Sequence, residues 1–162
     1  MENILVLREA RTEDILTPRS VVTALDNSLT TSVALAELGD NPFTRIPLYE
    51  GDIDSVVGLV FRPAMLQAER DGNGDNALAE IASPMYSVSE DLPVLQLLDT
   101  FLKRREHMFL VQDRYGQTAG IVTLEDALET LLGREIMDES DTVEDMQQLA
   151  RSKYRSRLRD QK

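Results

Sequence analysis

Two runs in this chain are built alike. Gly58-Leu59-Val60-Phe61-Arg62-Pro63-Ala64 is followed, 62 positions later, by Gly120-Ile121-Val122-Thr123-Leu124-Glu125-Asp126. Each places a glycine before a β-type triplet and then opens a helical pattern, Ala64-Met65-Leu66 in one and Ala127-Leu128 in the other. A repeat of roughly 60 residues constrains the fold strongly, because one such unit buries too little apolar surface to stand alone and must stack on its twin. The copies differ at one point. Only the second has a hydroxyl and a carboxylate, Thr123 and Asp126, three residues apart where strand becomes helix.

The rest of the chain repeats in the same order. Residues 1–9 read as a lead-in linker or helix, 10–68 as a first unit, 69–76 as a polar, glycine-rich linker, 77–133 as a second unit, and 134–162 as an acidic run followed by a basic C-terminal helix. In the first unit a short helix before Pro18 precedes an extended run, Val21–Leu25. A helix through Val33, Leu35 and Leu38, closed by Gly39, follows, then strands at Ile46–Tyr49 and Ser55–Val60 around a turn at Glu50-Gly51-Asp52. The second unit gives a helix at Leu78–Ala82 before Pro84, an extended Tyr86-Ser87-Val88, and a helix with Val94, Leu95, Leu98, Phe101 and Leu102 on its apolar stripe. Strands at Met108–Val111 and Ala119–Val122 flank a turn at Asp113–Gly116, and a helix over 124–132 ends at Gly133. The expected class is α/β: two stacked units, each a small three-stranded sheet flanked by helices.

Composition closes several functional routes. With no cysteine, disulfides, thiolate catalysis and thiolate zinc sites are excluded, and a single histidine, His107, leaves no histidine-based metal centre or catalytic triad. A net charge of −12 argues against nucleic acid, whose phosphates need clustered Lys and Arg. Residues 1–133 carry 10 basic and 22 acidic residues, which is the whole of that charge. An acidic body that binds an anion must use local arginines, backbone N–H groups or a companion cation.

Thr123 and Asp126 allow two readings. As a capping box they satisfy the orphan N–H groups of a helix start, although such boxes favour the longer Glu or Gln in the second position. As a ligand site, the carboxylate accepts hydrogen bonds from vicinal ribose hydroxyls while the helix N-terminus favours a nearby phosphate. His107 reads as a local hydrogen-bonding residue at a strand start. The acidic runs 50–54 and 135–145 read as solvated faces, with weak Mg²⁺ binding as the alternative. The basic tail reads as a solvated helix or as an arm for an acidic partner or membrane surface. No constellation of residues points to turnover, so an enzyme is not expected.

The ordered motifs resemble a tandem pair of cystathionine-β-synthase (CBS) domains, most of all the pairs in CNNM/CorC-type, haemolysin-related membrane transporters. The resemblance spans residues 10–141. It rests on Asp14-Ile15-Leu16-Thr17-Pro18-Arg19, Thr44-Arg45-Ile46-Pro47-Leu48-Tyr49, His107-Met108-Phe109-Leu110-Val111, Gly120–Asp126 and the acidic Gly133–Asp141. It implies a regulatory module that binds an adenosine nucleotide (ATP, ADP or AMP, alone or with Mg²⁺) and controls an attached Mg²⁺/Co²⁺ transporter. Thr123 and Asp126 would hold the ribose, Thr23 and Ile46 would border the adenine, and Arg45 would receive the polyphosphate. Phe61 and Ala64 replace the ribose-binding pair in the first copy, so no nucleotide is expected there. The resemblance further implies a homodimer, a transmembrane domain outside this chain and a place at the cytoplasmic face of the inner or plasma membrane. Two other functions stay open: a structural dimerisation module without ligand, and a direct Mg²⁺ sensor working through the acidic clusters.

Overall fold

The computed structural model describes residues 10–139, with 134–139 described by main chain only. The lead-in 1–9, the acidic run beyond Glu139 and the basic tail lie outside the described residues. The first sheet takes β2 (Leu25–Asp26), β3 (Arg45–Glu50) and β4 (Asp52–Phe61) in that order, with β2 parallel and β4 antiparallel to β3. In the second, β5 (Ser87–Ser89) runs parallel to β6 (Met108–Gln112), which pairs antiparallel with β7 (Thr118–Thr123). Helices α1 (Thr31–Leu38) and α2 (Arg62–Arg70) belong to the first sheet, α3 (Val94–Arg104) and α4 (Leu124–Glu139) to the second. The fold is therefore the expected α/β pair of repeated units.

The units exchange their leading segments. Strand β1 (Thr17–Pro18) does not join its own half but adds a fourth strand to the second sheet, pairing Thr17 with Ile121 and Pro18 with Gly120. In return Ser83 pairs with Leu59 of β4 through two main-chain hydrogen bonds of 2.8 and 2.9 Å. The short helical turns upstream exchange as well. Thr12 and Glu13 donate N–H bonds to Leu92 and Glu90 of the second half, while Leu78 and Ala79 donate to Leu29 and Asn27 of the first.

This exchange explains the two glycines. A Cβ at Gly120 would occupy the place of the Thr17 carbonyl oxygen, and one at Gly58 would lie 2.6 Å from the Ser83 carbonyl oxygen. Neither glycine has a positive φ, so close backbone approach, not turn geometry, requires them.

Each half has its own core, and the exchange reaches both. Leu78 is buried with Ile46, Leu48, Val60 and Met65 in the first, and Ala10 with Val94, Phe101, Phe109 and Val122 in the second. Phe101 stacks flat on Phe109 at 4.0 Å between centroids. Because each core is completed by a segment from the other half, neither half is closed without its twin.

Four expectations change. The stripe of α3 runs through Val94, Leu97 and Phe101, spaced i, i+3, i+7, and Leu102 stands 61% exposed on the far side. The segment after Pro18 is a 3₁₀ turn, Arg19–Val21, and only Leu25–Asp26 is strand. The 69–76 segment is pinned rather than free: α2 extends to Arg70, and Ser32 and Thr31 donate N–H bonds to the carbonyls of Gly74 and Asn76. Helix α4 runs through Gly133 to Glu139. One interior glycine costs a helix about 1 kcal/mol, too little to end it, and Gly133 lacks the positive φ of a C-terminal cap.

Candidate functional site

The site begins where β7 passes into α4. Thr123, the last residue of β7, pairs with Met108 of β6, while its neighbour Val122 and Ala127 of the first helical turn are fully buried. These anchors fix the junction. The N–H of Leu124 donates to the His107 carbonyl at 2.9 Å, tying the helix start to the mouth of β6. The side chains that remain at the surface then cap each other. The Thr123 N–H donates to Asp126 Oδ2 at 3.1 Å, and the Asp126 N–H donates to Thr123 Oγ1 at 3.2 Å.

A reciprocal capping box is present, but it does not exhaust the pair. Among the described residues Asp126 Oδ1 has no hydrogen-bond partner, and the Thr123 hydroxyl has no acceptor for its own proton. An acceptor and a donor are left half-buried at a helix N-terminus, where the helix dipole favours an anion. Burial raises the Asp126 carboxyl above the ordinary carboxylate range. Hydrogen bonds from Thr123 work against that shift, and the nearby Glu125 charge adds to it. Such a carboxylate gains from a ligand that brings hydroxyl donors to it.

The equivalent junction in the first half has none of this. Phe61 offers no capping hydrogen bond to α2, and Ala64 replaces the carboxylate. The Arg45 guanidinium lies 5.5 Å above the Phe61 ring. Arg45 and Phe61 open onto a cleft of about 460 Å³, with Leu59, Ser83 and Pro84 on one side and Arg104 through Met108 on the other.

The residues expected to serve the nucleotide lie on different elements. Thr123 and Asp126 are in direct contact. Thr23 lies half-buried in the extended stretch after the Arg19–Val21 turn, and that turn packs on β7. Ile46, expected to border the adenine, is fully buried in the first core with Leu48, Val60 and Leu78. Arg45 lines the Phe61 cleft, whose lining includes neither Thr123 nor Asp126. His107 places its ring 3.9 Å from Glu125 and also lines the Phe61 cleft.

Sequence reasoning passed over Arg104 and Arg105, although Lys103-Arg104-Arg105 is a basic run in an acidic body. The acidic run 50–54 does not gather a metal-sized cluster. Asp54 is drawn into an ion pair with Arg19, and Asp52 accepts the Asp54 N–H. Glu13, Glu90 and Asp91 do converge, through the exchanged lead-in, but as exposed or half-exposed side chains.

The family model of the CBS domain matches residues 78–133. A UPF0053 protein of Synechocystis sp. is 35% identical over 159 residues, covering 98% of this chain and 46% of that protein. The magnesium and cobalt efflux protein CorC of Vibrio cholerae is 31% identical over 156 residues, covering 95% of this chain and 53% of that protein. The chain thus spans about half the length of these curated relatives. Among solved structures, the CBS domain of a bacterial CNNM/CorC family Mg²⁺ transporter in complex with ATP aligns with a TM-score of 0.77. It is 32% identical, with 82% of this chain and 94% of that chain covered. A CBS-domain pair with bound AMP from Klebsiella pneumoniae aligns with a TM-score of 0.63 at 26% identity, covering 76% of this chain and 98% of that one. Among the described residues, no helix is long and apolar enough to cross a membrane.

Proposed function

Since this chain belongs to the CBS-domain family, in the branch carried by CNNM/CorC transporters, we propose that it is a regulatory module that binds one adenosine nucleotide at Thr123 and Asp126. The observation that carries this reading is the surplus in the capping box. One carboxylate oxygen and one hydroxyl proton remain after the helix start is satisfied. Asp126 Oδ1 would accept from the ribose hydroxyls, Thr123 would sit beside the sugar, and Thr23 would border the base.

Phosphate groups would meet the N-terminus of α4, where Glu125 is also present. That carboxylate repels a polyphosphate, so Mg²⁺ accompanying the nucleotide would offset the repulsion. The structures bound to ATP and AMP support the ligand class for relatives of this fold. Binding would shift the equilibrium between arrangements of the two halves, and an attached transporter of divalent cations at the cytoplasmic side of the membrane would respond. No turnover is part of this proposal.

A homodimer is also proposed. Leu66 on α2 and Leu128 and Leu132 on α4 are exposed at related places in the two halves and would form its apolar contact.

A thermal-shift series with ATP, ADP, AMP and GTP, each with and without Mg²⁺, tests the reading. Ligand at about 100 times Kd stabilises by about 2.7 kcal/mol, which for this chain length corresponds to about 5–10 °C. Loss of the adenosine-nucleotide shift in Asp126→Ala is the expected result. An undiminished shift in that variant would remove the ribose assignment. A shift with Mg²⁺ alone would favour ion sensing, and no shift with any ligand a purely structural module.

A further inference from the structure

We infer that Gly133 is a joint built into α4. It divides the helix into a fixed part, 124–132, and an arm, 134–139, whose helical order follows the charge at its end. The inference does not rest on the nucleotide reading of Thr123 and Asp126.

The first observation is a glycine that the fold does not require. Gly39, Gly51, Gly72 and Gly116 take positive φ. Gly58 and Gly120 admit the exchanged carbonyls, and Gly74 is crowded by Ser32 and Glu69. Gly133 has neither reason. Its φ is not positive, and a Cβ there would meet no atom of the described residues within 4 Å. An alanine would therefore fit, and would favour the helix by about 5-fold over glycine. A residue that weakens its own element without a packing return marks a place where function overrides stability.

The twin helix supplies an independent observation. By the 62-position repeat, Arg70 of α2 corresponds to Leu132 of α4. Helix α2 stops there. Asp71 donates its N–H to the Gln67 carbonyl, and Gly72 follows with a φ of 80°. A unit of this kind thus needs its last helix only as far as Leu132, and the arm is an addition to the scaffold.

Charge acts in the same direction as the glycine. Helix α2 ends on Arg70 and α3 on Lys103 and Arg104, cations that suit the negative end of the helix dipole. Helix α4 has no basic residue in its last turn, and the sequence there reads Glu135-Ile136-Met137-Asp138-Glu139. Carboxylates at that end oppose the dipole. Glycine at the base and carboxylates at the tip both favour uncoiling of the arm, while Ala127 and Leu131 hold the fixed part in the second core. With its helix complete, the arm carries a movement of the second half outward as a rod. Uncoiled, it lets the chain beyond Gly133 turn independently, so the arm couples only when it is ordered.

Amide hydrogen exchange of the full chain, read as protection factors over 127–131 and over 134–139, tests the inference. In the wild type the arm should be less protected than the fixed part. Gly133→Ala should raise protection of 134–139 by about 5-fold and leave 127–131 unchanged. Asp138→Lys with Glu139→Lys should raise protection of the arm by about 2- to 5-fold per residue, and added NaCl should erase that gain. Equal protection of the arm and the fixed part in the wild type would overturn the inference. So would an arm that ignores Gly133→Ala, or a charge variant without effect. A gain in Gly133→Ala spread evenly over 127–139 would also overturn it, because the helix would then open as one body with no joint.

Discussion

The junctions at Phe61–Ala64 and Thr123–Asp126 occupy equivalent places in two copies of one unit. Both follow a glycine that admits an exchanged segment, both contain a fully buried valine (Val60 and Val122), and both open a helix. Only one caps its helix with side chains. The first copy reaches the same architecture without that pair, so the scaffold does not demand it. What the scaffold demands is repeated. What differs between the copies is free to serve a ligand, and the difference is a hydroxyl with a carboxylate on one side against an arginine-lined cleft on the other.

The largest expected effects attack what the copies share. Gly120→Ala should destabilise by about 3 kcal/mol, as overpacking against fixed backbone does, because its Cβ meets the Thr17 carbonyl. Gly58→Ala should cost less, about 2 kcal/mol, since the equivalent approach to Ser83 is 2.6 Å. Urea unfolding of the two variants reads both values, and a Gly120→Ala protein as stable as the wild type would break the exchange account.

Asp126→Ala should cost about 1 kcal/mol through loss of the cap, whereas Ala64→Asp together with Phe61→Thr should change stability by less than about 1 kcal/mol. AMP binding gained by the double variant would show that the junction residues alone account for the contrast between the copies, and its absence that the surrounding residues contribute as well.

A subtler difference should appear with pH. The Asp126 carboxyl is raised by burial above the ordinary carboxylate range. In the folded protein its charged form is therefore the disfavoured one. Its contribution to unliganded stability is present at low pH and is lost as pH rises through the raised value. Ribose binding needs the charged form, so nucleotide affinity should fall on acidification starting above the ordinary carboxylate range, while the unliganded fold loses nothing through this group. Titrations of the wild type with AMP across the acid range check the sign for affinity, and urea unfolding of Asp126→Asn beside the wild type over the same range checks it for stability. The smallest effect is expected at the Arg19–Asp54 pair, both partners 39% exposed. Asp54→Ala should change stability by at most about 0.5 kcal/mol, because exposed ion pairs are screened.

Much of this was legible in sequence where the determining residues are neighbours. Thr123 and Asp126 lie within one helical turn, so their mutual capping followed from spacing, and the repeat announced itself through Gly58 and Gly120. The reason for those glycines was not legible, because the groups they admit, Thr17 and Ser83, sit far off in sequence and reach them only through the exchange. Arg45 and Ile46 are adjacent on β3, yet strand alternation buries one in the core and turns the other to the Phe61 cleft. Resemblance alone had given both to the nucleotide. The left-handed conformation of Arg105 was not legible either, because no residue pattern encodes that backbone angle.

Isothermal titration of AMP into the wild type and Asp126→Asn tests the central claim most directly, since Asn keeps the shape and capping ability of the side chain but removes its charge. The account expects one AMP per chain in the wild type, and in Asp126→Asn a loss of binding with a melting temperature close to that of the wild type. Two molecules per chain, or equal affinity in the variant, would contradict it.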